Sequence, residues 1–393
     1  MIIKPSHRIG QVKIYYFATK NAQIAVMNQM GKNVINLGIG SPDLIPPKEI
    51  INALTAATAD AVANKYQSYK GIPELRKAFA KWYDRWFKVE LDYATEVLPL
   101  IGSKEGIMHI SMSFLNEGDE VLVPNPGYPA YTMASKLAGA TVRHFDLTGD
   151  NGWKPDFDAL RKQDLSKVKI MWVNYPNMPT GQKADIHLFK ELIDFGREQE
   201  ILICHDNPYG FILNENPMSI MQVDGAKDVA IELNSLSKCF NMAGWRVGVM
   251  VGKQEYIDVV MKFKSNMDSG MYKPIQMAAV KALSLDQEWF DILNDTYTRR
   301  REKVWQLMDL LGCKYDRDSA GLFVWGSVPE TIMNVENWIE DILQSALVFI
   351  TPGFIFGTNG DRYIRISLCS EESIIDMAIS RIQTFLENQK TIS

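Results

Sequence analysis

Between about Leu37 and Gly252 the chain alternates short, almost uninterrupted apolar runs with longer amphipathic stretches. VLPLIG runs into SKEGIMHISMSFL, DEVLVP passes through NPGYPAY into TMASKLAG, and KIMWVNYP precedes DIHLFKELIDFGREQE. ILICHD, VAIELNSL and VGVMVG complete the series. A half-exposed strand alternates apolar and polar residues. These runs do not, so both of their faces should be buried. The order predicts a largely parallel sheet covered by helices on both sides. From about Gln276 the pattern changes to long helical stretches, then LFVWGSV and RYIRISL as short strands, and a closing helix. That part predicts a smaller α+β domain. The expected division is 1–36 for an arm that joins the small domain, 37–285 for the large domain and 286–393 for the small one.

Composition narrows the possibilities. A chain of 393 residues with 46% apolar and 23% charged positions has ample material for two cores. A net charge of −5 without any basic run argues against nucleic acid or an anionic membrane as a partner. No segment approaches the ~20 apolar residues that would span a bilayer, and the first residues lack the apolar stretch of a secretory signal. Cys204, Cys239, Cys313 and Cys369 show no paired spacing, and the five histidines show none either. Neither a disulfide framework nor a protein-bound metal is expected, and a reducing cytoplasm is the expected location.

In an open α/β sheet, ligands gather beyond the carboxyl ends of the strands. Gly102-Ser103-Lys104 follows VLPLI and opens a helical stretch, where it could cradle phosphate or simply cap the helix. Tyr128 lies in the Pro/Gly turn after VLVP, placed either to stack on a planar ring or to shape the turn. Asp206 and Tyr209 follow ILIC. A carboxylate at a buried strand end needs a cation or several donors, and a protonated heterocyclic nitrogen would serve, as would a capped helix. His205 reads as packing. After VAIELN come Ser235, Ser237, Lys238 and Arg246. A desolvated lysine near other cations has a lowered pKa and can attack a carbonyl, while hydroxyls and a guanidinium could hold a dianion. Phosphate cradle, stacking ring, acid and amine are together the parts that a pyridoxal 5′-phosphate (PLP) site requires.

With these parts in view, the chain resembles the fold-type I, class I/II PLP-dependent aminotransferases over nearly its whole length. SLSKCFNMAGWRVG resembles the Schiff-base lysine motif, which implies Lys238 as that lysine and Ser235, Ser237 and Arg246 around the phosphate. HDNPY implies Asp206 at the pyridine nitrogen and Tyr209 at the ring's phenolic oxygen, and GSK puts Ser103 and Lys104 at the phosphate. NPGYPAY puts Tyr128 on the ring face. YQSYKGIPELR implies that Tyr66 reaches the phosphate in the site of a partner subunit, and KSNMDSG places Asn266 at the subunit boundary. INLGIGSPD sets Ile39 and Gly40 beside the substrate, and RYIRISL implies that Arg365 forks onto the substrate α-carboxylate. The resemblance implies a mostly parallel seven-stranded sheet and a homodimer with shared sites. Within the family, INLGIGSPDLIPP, EVLPLIGSKEGIMHI and KSNMDSG are most similar to the LL-diaminopimelate aminotransferases.

Two departures stand out. Where the family reads N-N-P-T-G, this chain has Asn177-Met178-Pro179-Thr180-Gly181, and a thioether cannot donate the hydrogen bond of the missing asparagine. Either Asn177 shifts into that role, or Tyr209 and Arg365 carry it alone. Ile355 in TPGFIFG stands where a glycine is common. The activity implied is ping-pong transfer of an amino group from an L-amino acid to a 2-oxo acid, with 2-oxoglutarate the expected acceptor. A carbon–sulfur β-lyase would share every cofactor residue, as would an aspartate, alanine or aromatic aminotransferase. A PLP-fold regulator would need a DNA-binding module, which is absent from the sequence. A nicotinamide oxidoreductase would need a GxGxxG turn opening a helix.

Overall fold

The computed structural model describes residues 3–12 and 16–392. Of the expected N-terminal arm, residues 1–2 and 13–15 lie outside this range. In chain order the strands are β1 (Ile35–Asn36), β2 (Val97–Leu100), β3 (Glu120–Asn125), β4 (Thr141–Asp146), β5 (Val168–Asn174), β6 (Leu202–Asp206), β7 (Ala230–Ser235), β8 (Gly248–Gly252), β9 (Lys314–Tyr315), β10 (Phe323–Ser327), β11 (Val348–Phe349), β12 (Thr351–Pro352) and β13 (Tyr363–Ser367).

A seven-stranded sheet runs β2-β8-β7-β6-β5-β3-β4. β8 is antiparallel to both of its neighbours, and the other pairings are parallel. Six of these strands are the apolar runs of the sequence. The seventh, β4, reads TVRHFD and buries only Phe145, because it is an edge strand paired with β3 alone. Its polar residues hid it from an apolar-run criterion. Helices cover both faces, so apolar side chains of the inner strands fall into two clusters, one on either side of the sheet.

Local chemistry explains where those helices start. Pro73 opens the helix Pro73–Phe87 at a position that needs no N–H donor, and Lys88 ends it in the left-handed region. Asp185 caps Ile186–Gln199 by accepting from the Leu188 N–H at 2.8 Å, and Lys154 lies 2.6 Å from its other oxygen.

The C-terminal strands form the sheet β12-β13-β10-β9. The N-terminal part joins this half. β1 pairs with β11, and Lys20 and Gln23 of the helix Tyr16–Gln29 both reach Glu340, at 2.6 and 2.8 Å. The helix Gln287–Leu310 serves both halves. Phe290 near its start stacks on Phe211 of the large domain, and Arg300 further along is buried beneath Leu368.

Arg300 holds the two halves at one point. Its guanidinium makes a two-pronged bond to Asp43, 2.7 and 2.9 Å, and donates to the Leu368 carbonyl at 3.1 Å. Asp43 follows the Gly38–Ser41 segment, which the pair fixes across the cleft between sheet and small domain. Arg300 is enclosed but the Asp43 side chain is 28% exposed, so the pair is only partly desolvated. Asp43→Asn, which keeps one accepting oxygen, should therefore cost about 1.5–3 kcal/mol in urea unfolding of the cofactor-free protein. A loss under ~1 kcal/mol would mean that the bond does not hold this segment.

Candidate active site

A cleft of about 420 Å³ opens beyond the carboxyl ends of β2, β6 and β7, and the 38–41 segment, Phe323 and Arg365 complete its walls. Sequence order gives little sign that these pieces meet. Topology brings them together, because the parallel strands all present the same end to one side.

On the β2 side, Gly102 has φ +82 and a Cβ there would run into the Arg246 guanidinium. Only glycine allows both the turn and that approach. Gly102, not Ser103, is the N-cap of the helix Ser103–Phe114, so Ser103 is not spent as a cap. Across from it, Ser235 caps the one-turn helix Leu236–Cys239 and its hydroxyl lies 2.9 Å from that of Ser237. Arg246 reaches the Ser237 hydroxyl at 3.5 Å and the Ala243 carbonyl at 3.0 Å, from a left-handed backbone position. Two hydroxyls, a guanidinium, Lys104 and a helix start thus converge on one corner, a donor set that suits a phosphate dianion.

Lys238 projects from the short helix with its Nζ 2.6 Å from the Gly40 carbonyl. Burial, and to a lesser degree the nearby Arg365 and Arg246, push its pKa below the usual lysine value, which favours the free amine. Asp206 ends β6 and caps no helix. Tyr131 donates to its Oδ2 at 2.9 Å, while Oδ1 is buried without a hydrogen-bond partner. Desolvation pushes this carboxyl up to about 6, against the Tyr131 bond, which lowers it. An unsatisfied acid oxygen facing a cleft is costly unless a ligand brings a donor, and a protonated ring nitrogen does so. Tyr209 lines the same cleft, and burial holds its phenol far above the ordinary range, so it remains a donor. Tyr128 stands at the N-cap of the helix Pro129–Leu137, with its ring 5.5 Å from that of Tyr131. The residues present therefore fit PLP.

The roof carries the arginine. Arg365 on β13 donates to the Gly38 carbonyl at 2.9 Å, and its guanidinium carbon sits 3.8 Å from the Phe323 ring centroid and 4.6 Å from that of Phe356. The Ser367 hydroxyl donates to the Ile39 carbonyl at 2.7 Å, and a Cβ on Gly40 would strike Phe323. Ile39 and Gly40 thus lie at the cleft because β13 holds their backbone.

Some expected residues lie elsewhere. The Asn177 side chain is consumed in its own turn, accepting from the Thr180 hydroxyl at 2.8 Å and donating to the Asn174 carbonyl at 3.2 Å. It does not line the cleft, whereas Met178 does, with its sulfur 3.2 Å from an Arg365 nitrogen. Of the two options left by the missing asparagine, this geometry does not place the Asn177 side chain in that role. Tyr66 and Asn266 do not line this cleft. Tyr66 is 90% exposed, and a Cβ on Gly270 would meet the Gln67 carbonyl, so their two loops abut on one surface. Ile355 has no left-handed backbone, so its turn Gly353–Phe356 does not demand glycine there.

Sequence reasoning missed Tyr131, Asn174 and Asp43. Tyr131 is the second tyrosine of NPGYPAY, three residues beyond Tyr128 and so one helical turn away. That spacing was the available signal. Asn174, at the end of β5, holds the Asp206 carbonyl at 2.6 Å and accepts from the Met178 N–H at 2.7 Å. Glu105, His109 and Asp268 bring potential metal-ligand atoms within 4.8 Å of one another. The Lys264 ammonium lies 2.5 Å from Asp268 and already supplies the positive charge there.

Comparisons with known proteins agree with this geometry. The sequence profile described as aminotransferase class I and II matches residues 32–382. An LL-diaminopimelate aminotransferase of Dehalococcoides mccartyi is 41% identical, over 98% of this chain and 99% of that protein. Its counterpart from Aquifex aeolicus is 39% identical over 96% and 98%. The substrate-bound structure of BacF from Bacillus subtilis superposes with a TM-score of 0.93 at 35% identity, covering 98% of each chain. The chain belongs to the class I and II aminotransferases, enzymes that depend on PLP.

Proposed function

We propose that this aminotransferase moves the amino group of LL-diaminopimelate to a 2-oxo acid such as 2-oxoglutarate, in two half-reactions through the cleft around Lys238. The convergence of the Lys238 amine, the unpaired Asp206 oxygen and Arg365 on one cleft carries the reading of the reaction. The choice of donor is supported by the relatives that carry this name at 39–41% identity.

Bound PLP supplies an aldehyde for an amine and a ring that accepts electrons. The chain's own residues do the rest. Ser103, Lys104, Ser235, Ser237 and Arg246 would hold the phosphate, and Asp206 Oδ1, which lacks a partner, would accept from the ring nitrogen. Tyr209 would donate to the ring's phenolic oxygen, and Tyr128 would cover the ring face. Arg365 forks onto the substrate α-carboxylate, with Phe323 and Phe356 fixing its plane. Lys238, whose lowered pKa favours the free amine, would present Nζ to that aldehyde and would serve as the general base that holds the substrate Cα proton.

A second donor class has its own support. The charged residues lining this protomer's cleft are Lys104, Asp206, Lys238, Arg246 and Arg365, each engaged by the cofactor or the α-carboxylate. Phe17, Phe323, Phe356 and Met178 make much of the remaining wall apolar, with Asn21 and Ser41 as its neutral polar members, which favours an apolar or aromatic side chain over a distal charge.

We also infer a homodimer in which Tyr66 and Asn266 complete the partner's site. Their exposure on one surface, outside their own cleft, supports this. Four unpaired cysteines support work in a reducing cytoplasm. Among the described residues no helix is long and apolar enough to cross a membrane.

Lys238→Ala should abolish steady-state turnover of added amino acids. Normal turnover by that variant would refute the assignment. Arg365→Ala should raise the donor KM at least ~10-fold, the loss of one charge-assisted bond pair. A panel of LL-diaminopimelate, aspartate, alanine and phenylalanine with 2-oxoglutarate separates the donor classes. Inert diaminopimelate with brisk phenylalanine turnover would select the second one. Pyruvate and ammonia released from a cysteine conjugate without a 2-oxo acid would instead indicate a lyase.

Cofactor retention should weaken below a pH of about 6, where Asp206 takes up a proton and can no longer accept from the ring nitrogen. Because the Tyr131 bond lowers the Asp206 pKa, Tyr131→Phe should move this limit upward. Visible absorbance after dialysis at graded pH checks it, and an unmoved or lowered limit would contradict the role of Tyr131.

A further inference from the structure

Asp206 has a neighbour that the cleft does not use. His205 precedes it on β6, and the alternation of a strand turns its ring to the opposite face of the sheet, where it is fully buried. Its Nε2 lies 2.9 Å from the Tyr175 carbonyl oxygen, and its Nδ1 lies 2.9 Å from Oε2 of Glu232 on β7. A carbonyl only accepts, so Nε2 carries a hydrogen.

Glu232 decides the state of the other nitrogen. Its Oε2 also receives the Ser219 hydroxyl at 2.9 Å and the Ile220 N–H at 3.0 Å, and its Oε1 receives the Tyr83 hydroxyl at 2.7 Å. Burial, reinforced by Glu232, holds the Tyr83 phenol well above its usual range, so it stays a donor. A protonated Oε2 would have to accept two bonds through a weakly basic hydroxyl oxygen while giving its own hydrogen to the ring. An ionised carboxylate accepts all four bonds naturally, which puts the shared proton on Nδ1.

We propose that His205 is a buried imidazolium held by Glu232, and that its charge behind Asp206 keeps that carboxylate ionised for the cofactor's ring nitrogen. This makes His205 and Glu232 positioning residues, and it rests on the reading of Asp206 as the partner of that nitrogen. A fully buried ion pair contributes little net stability, since apolar side chains could fill the same space. Its asymmetry is what acts here. The cation occupies the position next to Asp206 in the chain, and its influence on that carboxyl exceeds the opposing influence of Glu232. The titratable groups facing Asp206 are Tyr131 from the helix Pro129–Leu137 and Tyr209 on the cleft side. Those behind the sheet are Glu232 on β7 and, through it, Tyr83 from the helix Pro73–Phe87, with the Phe189 ring closing the space 5.0 Å from His205.

Nitrogen-15 spectra of the cofactor-free protein test the charge directly. Both His205 nitrogens should carry hydrogen in the wild type, as their hydrogen bonds require, and Glu232→Gln should remove the hydrogen from Nδ1. A neutral ring in the wild type would overturn the proposal. The effect on Asp206 is read in His205→Gln, which keeps an amide donor for the Tyr175 carbonyl. The carbon-13 titration of the Asp206 carboxyl should move up by about one unit, and the acid limit of cofactor retention should follow it. Unmoved titration in a folded His205→Gln protein would reduce the pair to packing. If that variant does not fold, the same two titrations in Glu232→Gln must still shift from wild type, and an unmoved result there overturns the proposal. A wild type with an intact imidazolium pattern that binds no PLP would overturn the cofactor reading and leave the charge pair standing.

Discussion

One oxygen atom, Oδ1 of Asp206, sits in the dry floor of the cleft with no hydrogen-bond partner of its own. Desolvation pushes this acid toward its neutral form, and a neutral acid could not hold a ring nitrogen in its protonated, electron-accepting state. The surroundings lean the other way. Tyr131 donates from the cleft side, and Asn174 pins the backbone of the same residue. The parallel sheet supplies the rest of the condition, since β6 is covered on both faces and keeps water from the carboxylate. A solvated aspartate would hold the cofactor weakly, and a dry one without support would not stay charged.

The roof of the site is built against this floor by chain segments far apart in sequence. Gly38 and Gly40 give carbonyls to Arg365 and Lys238, so one stretch of backbone positions both the group that grips substrate and the group that reacts. Arg300 fastens that stretch through Asp43. The price of this economy is crowding, because side chains at Gly40 and Gly102 would collide with Phe323 and Arg246. Where the family's asparagine is missing, Met178 fills the space with a polarisable sulfur beside the guanidinium, and aromatic faces take over part of the work of orienting it.

Much of this was legible in the residues, for a physical reason. Strands buried on both faces must be apolar throughout, so six of the seven sheet strands announce themselves, and the chemistry sits just after them. β4 did not, because an edge strand tolerates arginine and histidine. Lys238, Asp206 and Arg246 could be singled out since charges beside buried strands need partners. Asn177 was a natural candidate from its motif, yet its turn uses its amide internally, a matter of three-dimensional hydrogen bonding with no trace in composition. His205 looked like packing because its partner, Glu232, is 27 residues away on the neighbouring strand. Tyr131 and Asp43 act through contacts whose other ends lie 75 and 257 residues along the chain. Sequence reading finds what a local pattern requires and misses what only topology brings together.

The central claim is that Asp206 stays ionised in its dry pocket and keeps the bound ring nitrogen protonated. The most direct measurement is the nitrogen-15 chemical shift of ring-labelled PLP in the holoenzyme at neutral pH, compared with an Asp206→Asn variant. A protonated ring nitrogen in the wild type, losing its proton in the variant, is the result this account predicts. An unprotonated nitrogen in the wild type, or one indifferent to the charge at position 206, would contradict it.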